Sequence, residues 1–456
     1  RRKELKRRQE SFGYTLEEMR EIMAPMAING QEPVSSMGTD TPVAVLSKQS
    51  KLIYWYFSQL FAQITNPPID PLREEVVMSL VQYLGPARNI LVPGPEHCRM
   101  LELDHPVITN DVLEQLRHSD IDGFRGTTLS TRFDSEQGPE ALERRLQELF
   151  VEAEEAIDAG RTILVLSDRG VSAEKAPIPA LLALSGIHHH LIRVGKRSQC
   201  SLVVETGEAR EVHHFALLLG YGATAINPYL AFQTLQDMVL LGMLPGQDGN
   251  KHADEETDIV YRYTENYIKA VGKGLLKVFS KMGISTLQSY CSAQIFEVVG
   301  LDQDFISKYF PGTASRIGGA GLKEIATESL MRHRNAYTEQ VDPNRGLDRG
   351  SEYSWRRDGE AHLMNPEVIA LLQHAVRSGN RDDFNRYSAL VDNQSEQTCT
   401  LRGLFKFKNQ KPSIPLEDVE PISAIIKRFC TGAMSLGSIS EEAHETLAIA
   451  MNRLGG

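Results

Sequence analysis

A few short stretches of this chain hold residue types and spacings that could do chemistry. Met434-Ser435-Leu436-Gly437-Ser438 comes after the apolar residues that open at Phe429. Small residues there would let a flat ligand approach the backbone, and barrel enzymes hold ligands where parallel strands end. The same serines suit capping of the next helix by Ser438 or Ser440, with Glu441 at capping-box distance from Ser438. The two readings are compatible. Gly220-Tyr221-Gly222-Ala223-Thr224-Ala225 fits the GxGxxA dinucleotide pattern, but it follows a helical run and precedes a strand, the reverse of what that fingerprint needs. Its glycines read as a helix C-cap and turn. Gly318-Gly319-Ala320-Gly321 precedes a helix whose N–H groups could hold an anion, and it reads first as a plain loop.

His188-His189-His190 and His213-His214 could suggest a metal. Adjacent residues on a helix point to different sides, so helix-end histidines satisfied by carbonyls or water are the expectation. The five cysteines, Cys98, Cys200, Cys291, Cys399 and Cys430, are scattered and odd in number. They read as reduced thiols, without a zinc pattern, a disulfide framework or a closely spaced cluster-ligand set. No nucleophile triad can be assembled from local signatures.

The bulk properties bound the rest. A length of 456 residues allows roughly three domains. With 41% hydrophobic and 24% charged residues, the composition is that of an ordinary globular chain. A net charge of −11 argues against nucleic acid as a partner, and no apolar run reaches the ~18 residues of a membrane span. The basic start, RRKELKRRQ, reads as the solvated face of a short helix or linker.

These candidates need elements to position them. Residues 1–50 read as connector. Within them Thr15 and Glu18 are spaced to cap a short helix from Leu16 to about Met23, which Pro25 ends. Tyr54-Trp55-Tyr56-Phe57 through Phe61 reads as an aromatic helix stopped at Asn66-Pro67-Pro68. Strands are expected at Thr162–Leu166, Cys200–Val204, Ala223–Ile226 and Thr286–Tyr290, with helices over 178–190, Val212–Leu219 and 258–282. Apolar strands alternating with helices imply βα units around a parallel sheet, either half of a (β/α)8 barrel or a doubly wound sheet. On the long helix, Tyr263, Tyr267, Val271, Leu275, Val278 and Met282 form an apolar face. Lys269, Lys273, Lys277 and Lys281 form a basic stripe, either solvated or set against an acidic neighbouring domain. Helices are expected over Leu322–Arg332 and Pro366–Arg377. Ile422–Gly456 reads as strand, Ser/Gly turn and helix, the first βα unit of another barrel.

As a string of words the chain resembles the glutamate synthase family. The words include Ser35–Glu74, Asn89–Cys98, Thr162–Gly170, Lys277–Thr286, Gln294–Glu297, Tyr353–Gly359, Leu401–Leu404 and Glu420–Gly456. In that family an N-terminal cysteine releases ammonia from glutamine. The ammonia passes through an internal channel to an FMN barrel, where 2-oxoglutarate becomes glutamate with electrons from a [3Fe-4S] cluster. The resemblance implies a piece of such a large subunit: an α/β fold with an incomplete (β/α) half-barrel-like central domain, followed by the first βα unit of a TIM-type FMN barrel. It implies bounds of 1–12 for a connector from a glutaminase domain, 13–335 for the central domain, and 336–456 for a connector and the start of the FMN/2-oxoglutarate barrel.

The implied role is scaffold and ammonia-channel wall, with no catalytic or metal residue of its own. Met434 and Ser435 resemble the part of the first barrel strand that touches the flavin. Met37 and Asp40 resemble a loop reaching towards the synthase site and channel. FMN and [3Fe-4S] are expected in the full-length protein and not held by this piece. Its implied partners are its own glutaminase and FMN/iron–sulfur domains, with an NADPH-oxidising small subunit or ferredoxin as electron donor. A cytoplasmic location is expected, or a plastid in a plant or alga. The alternatives are a stand-alone α/β docking module without catalysis and an independent FMN-type barrel built from residues 160–456.

Overall fold

The computed structural model describes residues 2–34, 38–60, 69, 71–89, 91–119, 121–245, 253–338, 346–393, 398–408, 412–432, 434 and 437–456. Of the residues singled out above, Met37, Phe61, Asn66-Pro67-Pro68, Ser435 and Leu436 lie outside them. The chain divides into two compact units, Arg1–Gly403 and Leu404–Gly456.

The first unit opens with α1 (Arg2–Ser11) and, further on, α2 (Ala24–Asn29). The elements around its sheet follow in order: β1 (Gly126–Ser130), α3 (Glu140–Asp158), β2 (Ile163–Ser167), α4 (Ala180–Arg193), β3 (Ser201–Glu205), α5 (Val212–Gly220), β4 (Ala225–Asn227), α6 (Tyr229–Leu240) and α7 (Ala253–Met282). Strands β1 to β4 form one parallel sheet in chain order, with Val165 beside Val203 and Val203 beside Ala225. Parallel neighbours need crossovers, and the helices between them cover the sheet. Every residue of β2, β3 and β4 is therefore buried. Period-two alternation sorts the side chains. Leu164, Leu166, Leu202, Val204 and Ile226 enter the main core, while Ile163, Val165, Val203 and Ala225 pack with Leu113, Leu116 and Phe124 on the other face.

The fold is thus mixed α/β around four parallel strands, with the predicted helices between them in place. The fourth strand is not the expected one. Thr286 makes only an isolated bridge to Ser79, and Leu287–Tyr290 is one helical turn capped by the Thr286 hydroxyl. The sheet takes its fourth strand from β1, whose Gly-Thr-Thr-Leu-Ser sequence carries little apolar signal. Its place is set by pairing with β2.

The aromatic segment also differs from its reading. Ile53–Tyr56 is a 3-10 turn, and Phe57–Gln59 is a strand antiparallel to Phe296–Val298. Phe57 packs 5.1 Å from Phe310 and 5.6 Å from Tyr221, centroid to centroid. Aromatic residues suit a pleated, half-buried surface, so this long-range pairing overrides local helical spacing.

Nor are the first 50 residues a bare connector. Phe12, Tyr14, Met19, Met23 and Met26 are buried in the main core. Gln9 of α1 donates to Thr234 of α6 at 3.0 Å. The Thr15–Glu18 capping box forms as expected. Pro25 does not end the helical run, because a π-type stretch (Met19–Met23) leads into α2 with the proline in its first turn. A proline there has no N–H to lose, and the run ends at Gly30 with φ of 60°.

After α7, the apolar face predicted for that helix holds: Tyr263, Tyr267, Val271 and Leu275 are buried. In its lysine stripe, Lys277 pairs with Glu32 at 3.1 Å. The first unit continues with α8 (Leu322–Tyr337), α9 (Pro366–Ser378) and α10 (Arg381–Asp392). The Gly321 N–H that could have met an anion is taken by Glu324 at 2.8 Å, a capping bond within the chain.

Gly222 closes the turn after α5 with φ of +106°. A Cβ at that position would collide with the His188 imidazole. Gly222→Ala is therefore expected to cost about 1–3 kcal/mol in urea unfolding through overpacking and backbone strain. A neutral result would show that His188 has room to move.

The second unit contains a helical turn (Ile422–Ile426) and α11 (Glu441–Leu454), which Ser440 caps by accepting from the Ala443 N–H. The strand expected from Phe429 is absent among its described residues. A strand needs a neighbour for its backbone hydrogen bonds, and the described residues of this unit offer none.

Candidate functional site

Parallel α/β sheets present ligand sites at the carboxyl ends of their strands. Here that edge is filled by side chains of the chain itself. At the end of β3, Glu205 is buried between two cations, Arg169 at 2.5 Å and Arg117, and accepts from the Ser167 hydroxyl. After β2, Asp168 accepts from the Thr206 hydroxyl at 2.5 Å and the Gly207 N–H at 2.9 Å. Burial, reinforced by the charge of nearby Glu208, pushes its carboxyl up to about 8, so near neutrality it is largely protonated. Glu208 in turn accepts from the Ala180 N–H at 2.9 Å, at the positive end of the α4 dipole. At β4, Asn227 donates to the Ile108 carbonyl at 3.0 Å.

Arg210 carries this network outwards. Its Nε and Nη2 donate to Glu18 Oε1 at 3.0 and 2.8 Å, and its remaining donors reach the carbonyls of Phe12, Gly13 and Glu208. Its guanidinium also lies 4.4 Å from the centre of the Tyr14 ring. Beside it, burial and the Glu18 charge push the Glu211 carboxyl up to about 8.

Glu17, next to Glu18, holds a second layer. Its carboxylate accepts from the backbone N–H groups of Glu352, Tyr353 and Ser354, at 2.7, 3.2 and 2.9 Å. Lys51 then bridges Glu352 and Glu360, while the Thr41 hydroxyl donates to Glu352 at 2.7 Å. Burial raises the Glu360 carboxyl, but hydrogen bonds from Lys51 and Ser47 outweigh it and leave the group below its ordinary value.

The outermost member is Asp40. One of its oxygens meets His362 Nδ1 at 2.8 Å, the other accepts from the Met364 N–H at 2.9 Å, and His362 Nε2 lies 2.7 Å from the Ser351 carbonyl. The loop containing Asp40 is thus clasped to 351–364 and, through Glu17 and Glu18, to the sheet edge. Asp40→Ala leaves His362 and the Met364 N–H without their partner. It is expected to cost about 1–3 kcal/mol and to speed hydrogen exchange at Met364 selectively. Unchanged exchange there would remove the clasp from the account.

Of the two expected site residues that are described, Asp40 joins this network and Met434 does not. Met434 is exposed in the second unit. The histidine pairs are satisfied internally: His189 Nδ1 lies 2.9 Å from the Ser185 carbonyl, His190 Nε2 2.7 Å from Glu154, and His213 Nε2 3.2 Å from the Tyr54 carbonyl. No group of three His, Cys, Asp or Glu residues able to hold a metal occurs among the described residues. Sequence reasoning missed Glu17, Glu205, Glu208 and Arg210, and read Glu18 only as a helix cap. The available signal was charge placed directly after apolar strands, as in Ser167-Asp168-Arg169 and Glu205-Thr206.

Residues 7–302 match the family model described as the glutamate synthase central domain, and residues 362–456 match the conserved region in glutamate synthase. The chain belongs to the glutamate synthase family. It is 46% identical over 453 residues to the glutamate synthase [NADPH] large chain of Bacillus subtilis, covering 98% of this chain and 28% of that one. It is 44% identical to the glutamate synthase [NADH] of Schizosaccharomyces pombe, covering 98% of this chain and 21% of that protein. With the ferredoxin-dependent glutamate synthase of Pyropia yezoensis it shares 41% identity over 100% of its own length and 29% of the relative's. The chain therefore spans between a fifth and a third of these glutamate synthases. An inosine 5' monophosphate dehydrogenase structure from Legionella pneumophila aligns with 54% of the chain, at 11% identity and a TM-score of 0.27, too low to carry a fold argument.

Proposed function

We propose that this chain is the middle of a glutamate synthase large subunit, an oxidoreductase with glutamine amidotransferase activity that makes L-glutamate from L-glutamine and 2-oxoglutarate. In this reading residues 13–335 form a half-barrel-like central domain that serves as scaffold and ammonia-channel wall. Residues 1–12 lead in from the glutaminase domain, and 336–456 lead into the FMN barrel. The observation that carries the proposal is the occurrence of both family regions, in order, within one chain. The packed sheet edge supports a scaffold role, because Asp168, Glu205 and Glu208 are engaged by donors of the chain itself. The clasp supports a positioning role for the Asp40 loop.

The described residues do not by themselves fit FMN or an iron–sulfur cluster. None of those in the second unit is buried, Met434 stands exposed, and the five cysteines form no cluster-like group. Met434 and Ser435 are proposed to meet the flavin once Phe429–Ser438 pairs with further barrel strands, and Met37 and Asp40 to face the channel. The electron donor is NADPH, NADH or ferredoxin, the range given in the relatives' names. No helix among the described residues is long and apolar enough to cross a membrane. We place the protein in the cytoplasm, or in a plastid if its source is a plant or alga, since one Arabidopsis thaliana relative is named as chloroplastic and another as chloroplastic/mitochondrial.

The test is an assay of the full-length polypeptide for glutamate formation from glutamine and 2-oxoglutarate with each donor. Asp40→Ala in that polypeptide is expected to keep glutamine hydrolysis while lowering the glutamate formed per glutamine consumed. Absence of glutamate formation with every donor would overturn the synthase reading, and an unchanged yield would overturn the role of Asp40.

A further inference from the structure

At the opposite, amino edge of the sheet, where β3 and β4 begin, lies a cavity of about 720 Å³. That is within the size range of small-molecule sites. Its lining includes Tyr83, Met100, Arg197, Ser201, Thr224 and Ser292. Among the described residues of the lining, Arg197 is the one Arg or Lys. Its donors go to neutral acceptors: Nε to His188 Nδ1 at 2.9 Å, Nη1 to the Cys200 carbonyl at 2.7 Å and Nη2 to the Gly222 carbonyl at 3.0 Å. A guanidinium has five N–H donors, so these bonds leave one on each terminal nitrogen.

Arg197 lacks the carboxylate that such a cation ordinarily meets inside a fold. Arg210 has Glu18 and Arg117 has Glu205. Among the described residues Arg197 makes no ion pair, and Glu102, the carboxylate of the lining, is exposed and unpaired with it. The neighbouring thiols do not supply the charge. Burial raises Cys200 and Cys291 to about 11, so both stay protonated near neutrality. His188 is held neutral by burial and by Arg197 itself. Because its Nδ1 accepts from Arg197, its proton sits on Nε2, which points at Ser292 Oγ 3.3 Å away. The cavity wall thus carries a positive charge on a fixed fork, held in place by three bonds and without a counter-ion.

We propose that this cavity is a binding site for a small organic monocarboxylate, whose anionic end takes the two remaining N–H donors of Arg197 while Tyr83 and Met100 receive its apolar body. A single guanidinium with a neutral imidazole beside it matches one negative charge better than the two of a phosphate. The site lies on the far side of the sheet from Asp40 and the clasp, so it stands or falls independently of the synthase reading.

Benzoate, its neutral isostere benzamide and inorganic phosphate serve as probes, titrated into the chain by calorimetry at constant ionic strength. Benzoate is expected to bind at least roughly tenfold more tightly than benzamide, the preference a charge-assisted hydrogen-bonded pair gives. Arg197→Gln should remove that preference. Because Arg197 also ties the His188 side chain to the Cys200 and Gly222 carbonyls, Gln288→Trp gives a second variant: Gln288 is exposed on the lining, so a larger side chain there should block benzoate without disturbing the fold. Equal binding of benzoate and benzamide, binding of neither, or a preference that survives Arg197→Gln would overturn the proposal. A response to phosphate alone would overturn the carboxylate class.

Discussion

Arg210→Met is expected to destabilise the first unit by about 3–5 kcal/mol, the cost of removing one partner from a buried ion pair. Arg210 is fully buried, and its donors join Glu18 to the carbonyls of Phe12, Gly13 and Glu208. The variant strands Glu18 beside Glu211 without a cation and leaves those carbonyls short of a donor. Methionine fills much of the volume, so the loss measures charge and hydrogen bonding more than a cavity. Adding Glu18→Gln should recover part of it by removing the stranded charge. Recovery should stay incomplete, because the Phe12, Gly13 and Glu208 carbonyls still lack the donors of Arg210. Urea unfolding of the two variants decides the matter. A loss below about 1 kcal/mol for Arg210→Met would mean that the network contributes no more than a surface pair.

The second large effect is on pH dependence. Asp168 and Glu211 sit at about 8 in the folded chain, each raised first by burial and then by a neighbouring carboxylate. Their unfolded values are about 4. Between those limits the folded state holds protons that the unfolded state has released, so ν_U − ν_N is negative and stability falls as pH rises. The contribution is full below about pH 4 and gone above about pH 8. Each carboxyl adds a slope of up to about 1.4 kcal/mol per pH unit. Glu360, held below its ordinary value, works in the opposite sense, but its effect lies below its unfolded value and outside this window. Buried histidines such as His188 and His214, held below their ordinary value by burial, work in the opposite sense until about pH 7, where unfolded imidazoles have lost most of their protons. Unfolding free energy should therefore decline from about pH 7 to 8, and Asp168→Asn should flatten the decline by removing one titration. Stability that climbs across this range would show that both groups are ionised in the fold.

Much of the fold was legible because local pattern and tertiary demand agree there. Ile163–Ser167, Ser201–Glu205 and the helices that follow them are apolar enough to be buried on both faces, and their order alone implies parallel pairing. The Thr15–Glu18 cap was legible for the same reason, since both partners lie within one turn of helix. The family was legible from long ordered words such as Thr162–Gly170, which physical pattern does not supply.

Other features were decided by partners far away in the chain. Gly126–Ser130 becomes a strand because Ile163–Ser167 lies ready to pair with it, and Phe57–Gln59 because Phe296–Val298 does. Among the described residues of its unit, Phe429 onwards has no such neighbour and forms no strand. The polar networks show this most clearly. Arg210 and Glu18 are 192 positions apart, and Asp40 and His362 are 322 apart. Composition supplied the charges, but only the folded chain chose which would meet. It paired Arg210 with Glu18 and left Arg197 facing a cavity. Burial makes that choice matter, because a charge out of water must find a partner in the fold or draw one from outside it.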